Sequence, residues 1–251
     1  MPFANLPTEL RHLIIEKVVA TPFEPPATPT DIPADDWFYP LEERIRRNAY
    51  AFVREIGDYD PAIAFNTSSP WKHQYLPLLL VSKSFKRDAE SVLGLIGSRL
   101  PPTLDVILTA DGDLKVTWLL VPPEVGPLTQ RLHLIIRKTL NPEEFNSRTA
   151  YLEILLDRLL HRIITMGLSP YRKGFRTLST QVRNLQITAV APGEWFAMRL
   201  LQHWATGQFN ELSRSIDTID ISLDDRKTYH LSNAAVKGWK HVASTTMNVI
   251  S

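Results

Sequence analysis

Apolar residues near the N-terminus recur at the spacing of an α-helix. Between residues 6 and 18 they return every three or four positions, which places them along one stripe of a helix. Pro7 suits the first turn of that helix, because its φ angle is already helical and its missing N–H has no helical partner there. We call these apolar positions the N-terminal stripe: Leu6, Leu10, Leu13, Ile14 and Val18. The pattern predicts an amphipathic helix whose stripe packs either on the protein's own core or against a partner.

A second helical pattern begins at residue 76, again with a proline in its first turn. The face that it forms comprises Leu78, Val81, Phe85, Ala89 and Val92. The first part of this segment, Leu78–Val81, is apolar on nearly every side, which is typical of a helix buried between two surfaces. We therefore expect a helix whose N-terminal part is buried.

The stretch between these two patterns is rich in proline. Prolines recur between residues 22 and 33, and they favour an irregular or polyproline-like surface loop. The aromatic run Trp37-Phe38-Tyr39 closes that loop, and a role in anchoring the loop to the body is favoured over partner binding. Residues 41–56 have a helical pattern, and residues 58–75 return to loop composition.

From about residue 100 onward, the periodicity changes to the alternation of β-strands. Two β-rich runs, residues 103–108 and 114–122, flank an Asp-Gly pair, which is a strong local signal for a hairpin. Strand alternation places Trp118 on the core side of the second run. Further strands are expected at residues 131–137, 182–190, 216–223 and 229–231, and helices at residues 149–166, 192–207 and 233–242. The predicted fold class is α+β, with a mixed β-sheet and helices packed on it.

Composition and charge indicate a soluble globular protein. The 251 residues are 44% hydrophobic and 22% charged, and the net charge is only +1. A balanced charge gives no global attraction to nucleic acid or to an anionic membrane. No apolar run approaches the ~20 residues that span a bilayer, and no signal peptide is recognisable. The absence of cysteine excludes disulfides and thiolate metal sites and fits an intracellular location, in the cytoplasm or the nucleus.

Candidate catalytic chemistry is sparse. The sequence contains no nucleophile elbow, phosphate-binding loop, dinucleotide-binding fingerprint or zinc-protease motif. The histidines are scattered, and His133 and His161 read as structural residues, because a metal site needs three or four convergent ligands. The basic and aromatic run Tyr171–Arg176 favours an exposed loop over nucleic-acid binding. A solvated strand end is favoured for the densest acidic group, which is Asp217, Asp220, Asp224 and Asp225. We expect no enzymatic activity, no catalytic residues, no metal and no cofactor.

Taken together, the two helical patterns resemble an F-box. The matching residues are Leu6-Pro7-x-Glu9-Leu10 with Ile14 and Val18 in the first pattern, and Val81, Lys83, Phe85 and Ala89 in the second. The arrangement is more closely similar to F-box-like proteins of filamentous fungi, in which a proline-rich insertion often separates the two segments. Residues 19–77 intervene here, whereas ordinary F-boxes have a short connection. The resemblance covers about residues 4–93, and a looser likeness extends into the strands that follow.

This resemblance implies how the chain is organised and what it binds. Residues 1–100 would form an F-box-like helical module with a proline-rich insertion at about residues 20–75, and residues 101–251 would form the α+β sheet domain. The implied function is a protein-interaction adaptor, similar to the substrate-recognition subunits of cullin-type ubiquitin ligases. Its helices would bind a Skp1-type adaptor and its sheet domain an unknown protein target. The expected adaptor-binding residues are Leu6, Pro7, Leu10, Leu13, Ile14, Val18, Leu79, Leu80, Val81 and Phe85.

A competing interpretation is a stand-alone structural or complex-subunit protein. In that case the F-box-like helices pack internally and do not bind a Skp1-type adaptor. Solvent exposure of the apolar helical residues, above all Leu10, Ile14, Leu79 and Leu80, distinguishes the two. An exposed patch favours the adaptor, and full burial favours the stand-alone protein.

Overall fold

The architecture is a mixed β-sheet joined to a small group of helices, as seen in a computed structural model of the chain. This arrangement confirms the predicted α+β class. The structure describes residues 5–39, 62–67, 76–96, 99–109, 112–121, 128–138, 142–166, 181–190, 200, 215–223 and 227–232.

Four α-helices lie within these residues, and the first two begin close to the predicted positions. They are α1 (Thr8–Ala20), α2 (Leu76–Leu79), α3 (Lys83–Ile96) and α4 (Pro142–Met166). Helix α1 starts directly after Pro7 and carries Glu9 in its first turn, where the helix dipole favours an anion. Helix α4 starts at Pro142, seven residues before the predicted residue 149. Proline is favoured in the first turn of a helix, so Pro142 is compatible with this earlier start.

The strands form one sheet in the order β1-β2-β4-β3-β5-β6-β7-β8. The central strands β3, β5, β6 and β7 run parallel to one another, whereas β4 and β8 pair antiparallel with β3 and β7. The bounds are β1 (Trp37–Phe38), β2 (Ile63–Asn66), β3 (Thr103–Leu108), β4 (Leu114–Leu120), β5 (Leu128–Lys138), β6 (Gln181–Val190), β7 (Ile216–Leu223) and β8 (Lys227–Ser232).

The main hydrophobic core lies between one face of this sheet and α4. Alternate residues of the strands point toward it, as period-two patterning requires, and the helix contributes leucines and isoleucines at helical spacing. Trp118 of β4 is 1% exposed and belongs to this core, which confirms its predicted facing. The helical residues of this core are Leu152, Leu155, Leu156, Leu159, Leu160, Ile163 and Ile164.

A second, smaller core holds the N-terminal helices together. Ile15 and Val19 of α1 pack with apolar residues of α3, and Leu78, Leu79 and Leu100 pack on the edge of the cluster. The residues that α3 contributes are Phe85, Ala89, Val92, Leu93 and Ile96. Within the described part of the chain, no residue belongs to both hydrophobic clusters, so α1, α2 and α3 form a helical unit with its own core.

The predicted hairpin between β3 and β4 is confirmed. Gly112 has a φ of 85°, a left-handed conformation that glycine adopts without steric cost, and its N–H donates to the carbonyl of Thr109 at 2.9 Å. The adjacent Asp113 is buried and has a further role. Its carboxylate accepts the N–H of Ala62 at 2.8 Å and so fixes the start of β2.

The structure corrects the prediction of a loop over residues 58–75. Ile63–Asn66 form β2, which is buried on both faces and runs parallel to β4. Trp37–Phe38 form β1, which pairs antiparallel with β2. The insertion therefore contributes two strands to the sheet. The aromatic run anchors the loop as expected: the Lys115 ammonium lies 4.9 Å from the Trp37 ring centroid and donates a hydrogen bond to the Tyr39 hydroxyl at 2.7 Å.

The expectation that Leu78–Val81 is buried holds only for its first half, because Leu78 and Leu79 are partly buried against the helical core. Helix α2 ends at Leu79, and Leu80 and Val81 are 85% and 66% exposed. The physical reason is a helix start immediately afterwards. The hydroxyl of Ser82 accepts the N–H of Phe85 at 3.2 Å and its carbonyl accepts the N–H of Lys86 at 2.8 Å, so Ser82 is the N-cap of α3.

Several predicted elements lie outside the described residues. These are the helices at residues 41–56 and 233–242, nearly all of the helix at residues 192–207, and the basic and aromatic run Tyr171–Arg176. Only Leu200 of the middle segment is described, and its side chain belongs to the main core.

Candidate protein-interaction surface

Helix α1 has apolar residues on more than one side, and the structure uses only one side for internal packing. Ile15 and Val19, one helical turn apart, are 0% and 3% exposed and face α3. Arg11 and His12 lie on the same side of the helix, where they approach Asp88 of α3. The N-terminal stripe is therefore turned away from the helical core.

The exposure of the stripe residues bears this out. Leu10, Leu13, Ile14 and Val18 are 48%, 61%, 43% and 42% exposed. Residues separated by three or four positions are neighbours on a helix surface, so these side chains form one continuous apolar strip along α1. We call it the outer face of α1.

The end of α2 adds two further exposed apolar side chains. Leu80 and Val81 lie in the turn that connects α2 to α3, and both are largely in solvent. Leu79, just before them, is partly buried against the helical core. Because α1 and α2 both pack on that core, Leu80, Val81 and the outer face of α1 belong to the same helical unit.

The remaining residues of the expected site have different positions. Leu6 is half-buried, and its carbonyl accepts a hydrogen bond from Arg11 at 2.8 Å. Pro7 is exposed at the start of α1. Phe85 is 9% exposed and lies in the helical core, where it packs with Ile15 and Val19 rather than facing a partner.

An ion pair that the sequence patterns do not reveal joins α1 to α3. The Nε atom of Arg11 donates to Oδ2 of Asp88 at 2.7 Å, and both side chains are less than one-fifth exposed. Two further donors of the same guanidinium reach the Leu6 carbonyl and the Thr8 hydroxyl. The arginine thus ties the start of α1 to the middle of α3, at positions that hydrophobic periodicity does not link.

The predicted structural role of His133 fits its surroundings. Its Nε2 atom lies 2.9 Å from the Thr188 hydroxyl on the neighbouring strand. Burial lowers the pKa of His133 below the ordinary value of 6.5, because a charged imidazolium is disfavoured away from water. The ring is therefore neutral at physiological pH and acts as a hydrogen-bonding partner within the sheet.

The predicted acidic group is only partly described. Asp220 of β7 pairs with Nδ1 of His230 at 2.5 Å and accepts a hydrogen bond from the Asn184 amide at 2.6 Å. Asp217 is exposed, and Asp224 and Asp225 lie outside the described residues. In the part of the chain that the structure describes, no three histidine or acidic side chains converge as metal ligands would.

Comparisons with known proteins add no relative to this description. No family model matches the chain. No curated protein and no solved structure shows significant similarity to it. Among the described helices, none is long and apolar enough to cross a membrane.

Proposed function

We propose that this chain is a protein-interaction adaptor that binds a Skp1-type partner through the outer face of α1, as the F-box resemblance implies. The observation that supports the proposal most strongly is the orientation of α1. Its internal packing uses Ile15 and Val19, whereas the large apolar side chains of the F-box-like pattern are exposed.

The energetics favour a partner for this face. Complete burial of a leucine, isoleucine or valine side chain contributes about 1.5–3 kcal/mol, and the four residues of the outer face remain 42–61% exposed. Covering them recovers a substantial part of that free energy, which is why contiguous apolar patches mark interaction sites. The stand-alone interpretation expects the same residues to be buried within the chain.

The other expected residues divide into two roles in this proposal. Leu80 and Val81 contact the partner directly, as their exposure permits. Phe85 acts indirectly, because its position in the helical core holds α1 on α3. The sheet domain holds the target protein, in keeping with the resemblance, and the role is binding rather than catalysis.

Charge substitution on the outer face tests the proposal. We expect Leu13→Glu to reduce binding to a purified Skp1-type adaptor at least tenfold, since a carboxylate in an apolar contact loses its hydration. A matched control is Ile154→Glu, which places the same charge at a 50% exposed apolar position of α4. Binding should be unchanged in that variant.

Both variants should fold, because each site is already in water. Circular dichroism and thermal melts establish this before binding is measured. Equal binding by the parent chain, Leu13→Glu and Ile154→Glu, or no binding by the parent chain, would exclude the proposed function.

A further inference from the structure

The segment between α1 and β1 is hydrogen-bonded to two strands of the sheet, β4 and β5. We call residues 21–36 the strap. Near its start, the N–H of Phe23 donates to the carbonyl of Leu119 at 2.8 Å. Leu119 lies in the part of β4 beyond its pairing with β2, which ends at Val116, so the strap takes the place of a neighbouring strand there.

The middle of the strap is held by a single arginine of the sheet. Arg137 of β5 donates from Nε and Nη2 to the two carboxylate oxygens of Asp105, both at 2.6 Å. The same guanidinium also donates to the carbonyls of Pro26 at 2.5 Å and Ala27 at 3.4 Å. One planar fork therefore binds the sheet and the strap together, a geometry that lysine cannot reproduce.

The carboxylate beneath this fork is deeply buried. Asp105 is 0% exposed. Desolvation raises the pKa of Asp105, and the hydrogen bonds and charge of Arg137 oppose that rise. A buried carboxylate needs its partner, so Asp105 fixes the position of Arg137, and Arg137 in turn presents its remaining donors to the strap.

The second half of the strap has local structure of its own. Thr28 and Asp31 form a reciprocal capping box around a 3₁₀ turn. Hydrogen bonds from Thr28 lower the pKa of Asp31, so its carboxylate is charged and able to accept them at neutral pH. Ile32 follows this turn and is only 8% exposed, so its burial holds the second half of the strap against the rest of the protein.

The position of the strap matters because the helical unit and the sheet have separate hydrophobic clusters. Two other segments also connect the helical unit to the sheet: residues 67–75 between β2 and α2, and residues 97–102 between α3 and β3, where the N–H groups of Arg99 and Leu100 both donate to the carbonyl of Ile96. Among the residues that the structure describes, the two units share no apolar cluster, so polar anchors on the strap bear on the angle between them.

We propose that the strap is an orienting device: the fork of Arg137 on Asp105, Pro26 and Ala27 locks it to the sheet and thereby sets the angle of the helical unit. Release of the fork frees residues 21–36 and widens the range of angles, while both hydrophobic cores stay intact. The proposal does not depend on which partner the outer face of α1 binds.

The distance between two spin labels, one on the helical unit and one on the sheet, reports changes in the angle. The chain contains no cysteine, so Glu16→Cys on α1 and Arg183→Cys on β6, both exposed, label only the chosen sites. Pulsed electron–electron double resonance gives the distance distribution between the two labels in the full chain. We expect a wider distribution in Arg137→Gln than in the labelled parent. Hydrogen exchange of residues 21–36 should accelerate roughly tenfold, as loss of charge-assisted hydrogen bonds to a loop predicts.

A second pair of variants tests the hydrogen bond near the start of the strap without changing any sheet residue. Both variants remove the phenyl ring of Phe23. Phe23→Pro also removes the backbone N–H that donates to the Leu119 carbonyl, whereas Phe23→Ala keeps it. We expect wider distances and faster exchange in Phe23→Pro than in Phe23→Ala. Arg131→Gln, which neutralises an exposed arginine on the same strand as Arg137, is the control and should match the parent.

The outcomes separate clearly. If Arg137→Gln does not fold, because Asp105 is left unpaired, comparison of Phe23→Pro with Phe23→Ala decides. If Arg137→Gln folds and its distance distribution is no wider than that of the labelled parent, the proposal is overturned. A distance distribution in Phe23→Pro no wider than in Phe23→Ala also overturns it. So does an equal widening in Arg131→Gln.

Discussion

Arg11 of α1 and Asp88 of α3 form an ion pair across the helical unit, with 2.7 Å between Nε and Oδ2. The residues are 77 positions apart in the chain, so the contact exists only when α1 and α3 come together. It lies beside Ile15 and Val19, on the side of α1 that packs internally.

Removal of this pair should destabilise the helical unit. We expect Asp88→Asn to lower the free energy of unfolding by about 1–2 kcal/mol, because a partly buried hydrogen bond to a charged group contributes more than a surface pair. Urea denaturation measures the change. The control is Glu90→Gln, whose partner Lys86 lies 3.6 Å away with both side chains more than half exposed. A change below about 0.5 kcal/mol is expected there. Equal effects would contradict the interpretation.

Replacement of Trp118 should be among the most damaging single changes. Trp118→Ala leaves a cavity beneath α4, and such substitutions in a core cost about 3–5 kcal/mol. That is a large share of a total stability of ~5–15 kcal/mol. Trp37→Ala should be milder, because Trp37 is only half-buried. Thermal melts of the two variants test this, and a Trp118→Ala melt like that of the parent would be inconsistent with the packing of β4.

The cap at Ser82 gives a more local prediction. Ser82→Ala removes the oxygen that accepts the Phe85 N–H and should cost about 1 kcal/mol, the usual effect of losing an N-cap. Ser91→Ala, at an exposed position inside α3, should be neutral or slightly stabilising, because alanine is the better helix former. Similar losses in the two variants would show that Ser82 does not cap the helix.

The burial of His133 predicts a dependence of stability on pH. Its pKa in the folded protein is below the ordinary 6.5, so as pH falls through 6.5 the unfolded chain takes up a proton before the folded one does. Stability from this residue is thus fully present above pH 6.5 and declines on acidification, by at most ~1.4 kcal/mol per pH unit for one proton.

His133→Gln should flatten this decline, since glutamine keeps a hydrogen-bonding group toward Thr188 but does not titrate. Unfolding free energies between pH 7 and pH 5 provide the comparison. A decline in His133→Gln as steep as in the parent would rule out the assignment.

Much of the sheet could be predicted because alternation is a strong signal. Strand β7 has the predicted bounds, and the Asp-Gly turn before β4 is where expected. Strand β2 was missed for a physical reason. It has only four residues and is buried on both faces, so it shows no alternation, and its position in the sheet depends on Asp113, far along the chain.

The site was harder to predict than the fold. Periodicity identified the apolar residues of α1, but a helix with apolar residues on several sides gives no indication of which side packs internally. Ile15 and Val19 determine that choice through contacts with α3. The break at Ser82 likewise depends on one serine hydroxyl within a sequence whose apolar pattern continues without interruption, which is why the exposure of Leu80 and Val81 was unexpected.

The parallel pairing of β2 with β4 has a consequence for the order of assembly. The contact between Ala62 and Asp113 joins positions 51 residues apart. At ~5–20 residues per second, a ribosome needs roughly 3–10 s to synthesise the intervening stretch. During that time β2 has been synthesised but β4 has not. The edge of β2 that β4 covers thus waits for a partner during translation, and a truncated chain that stops near residue 100 would keep that edge permanently open.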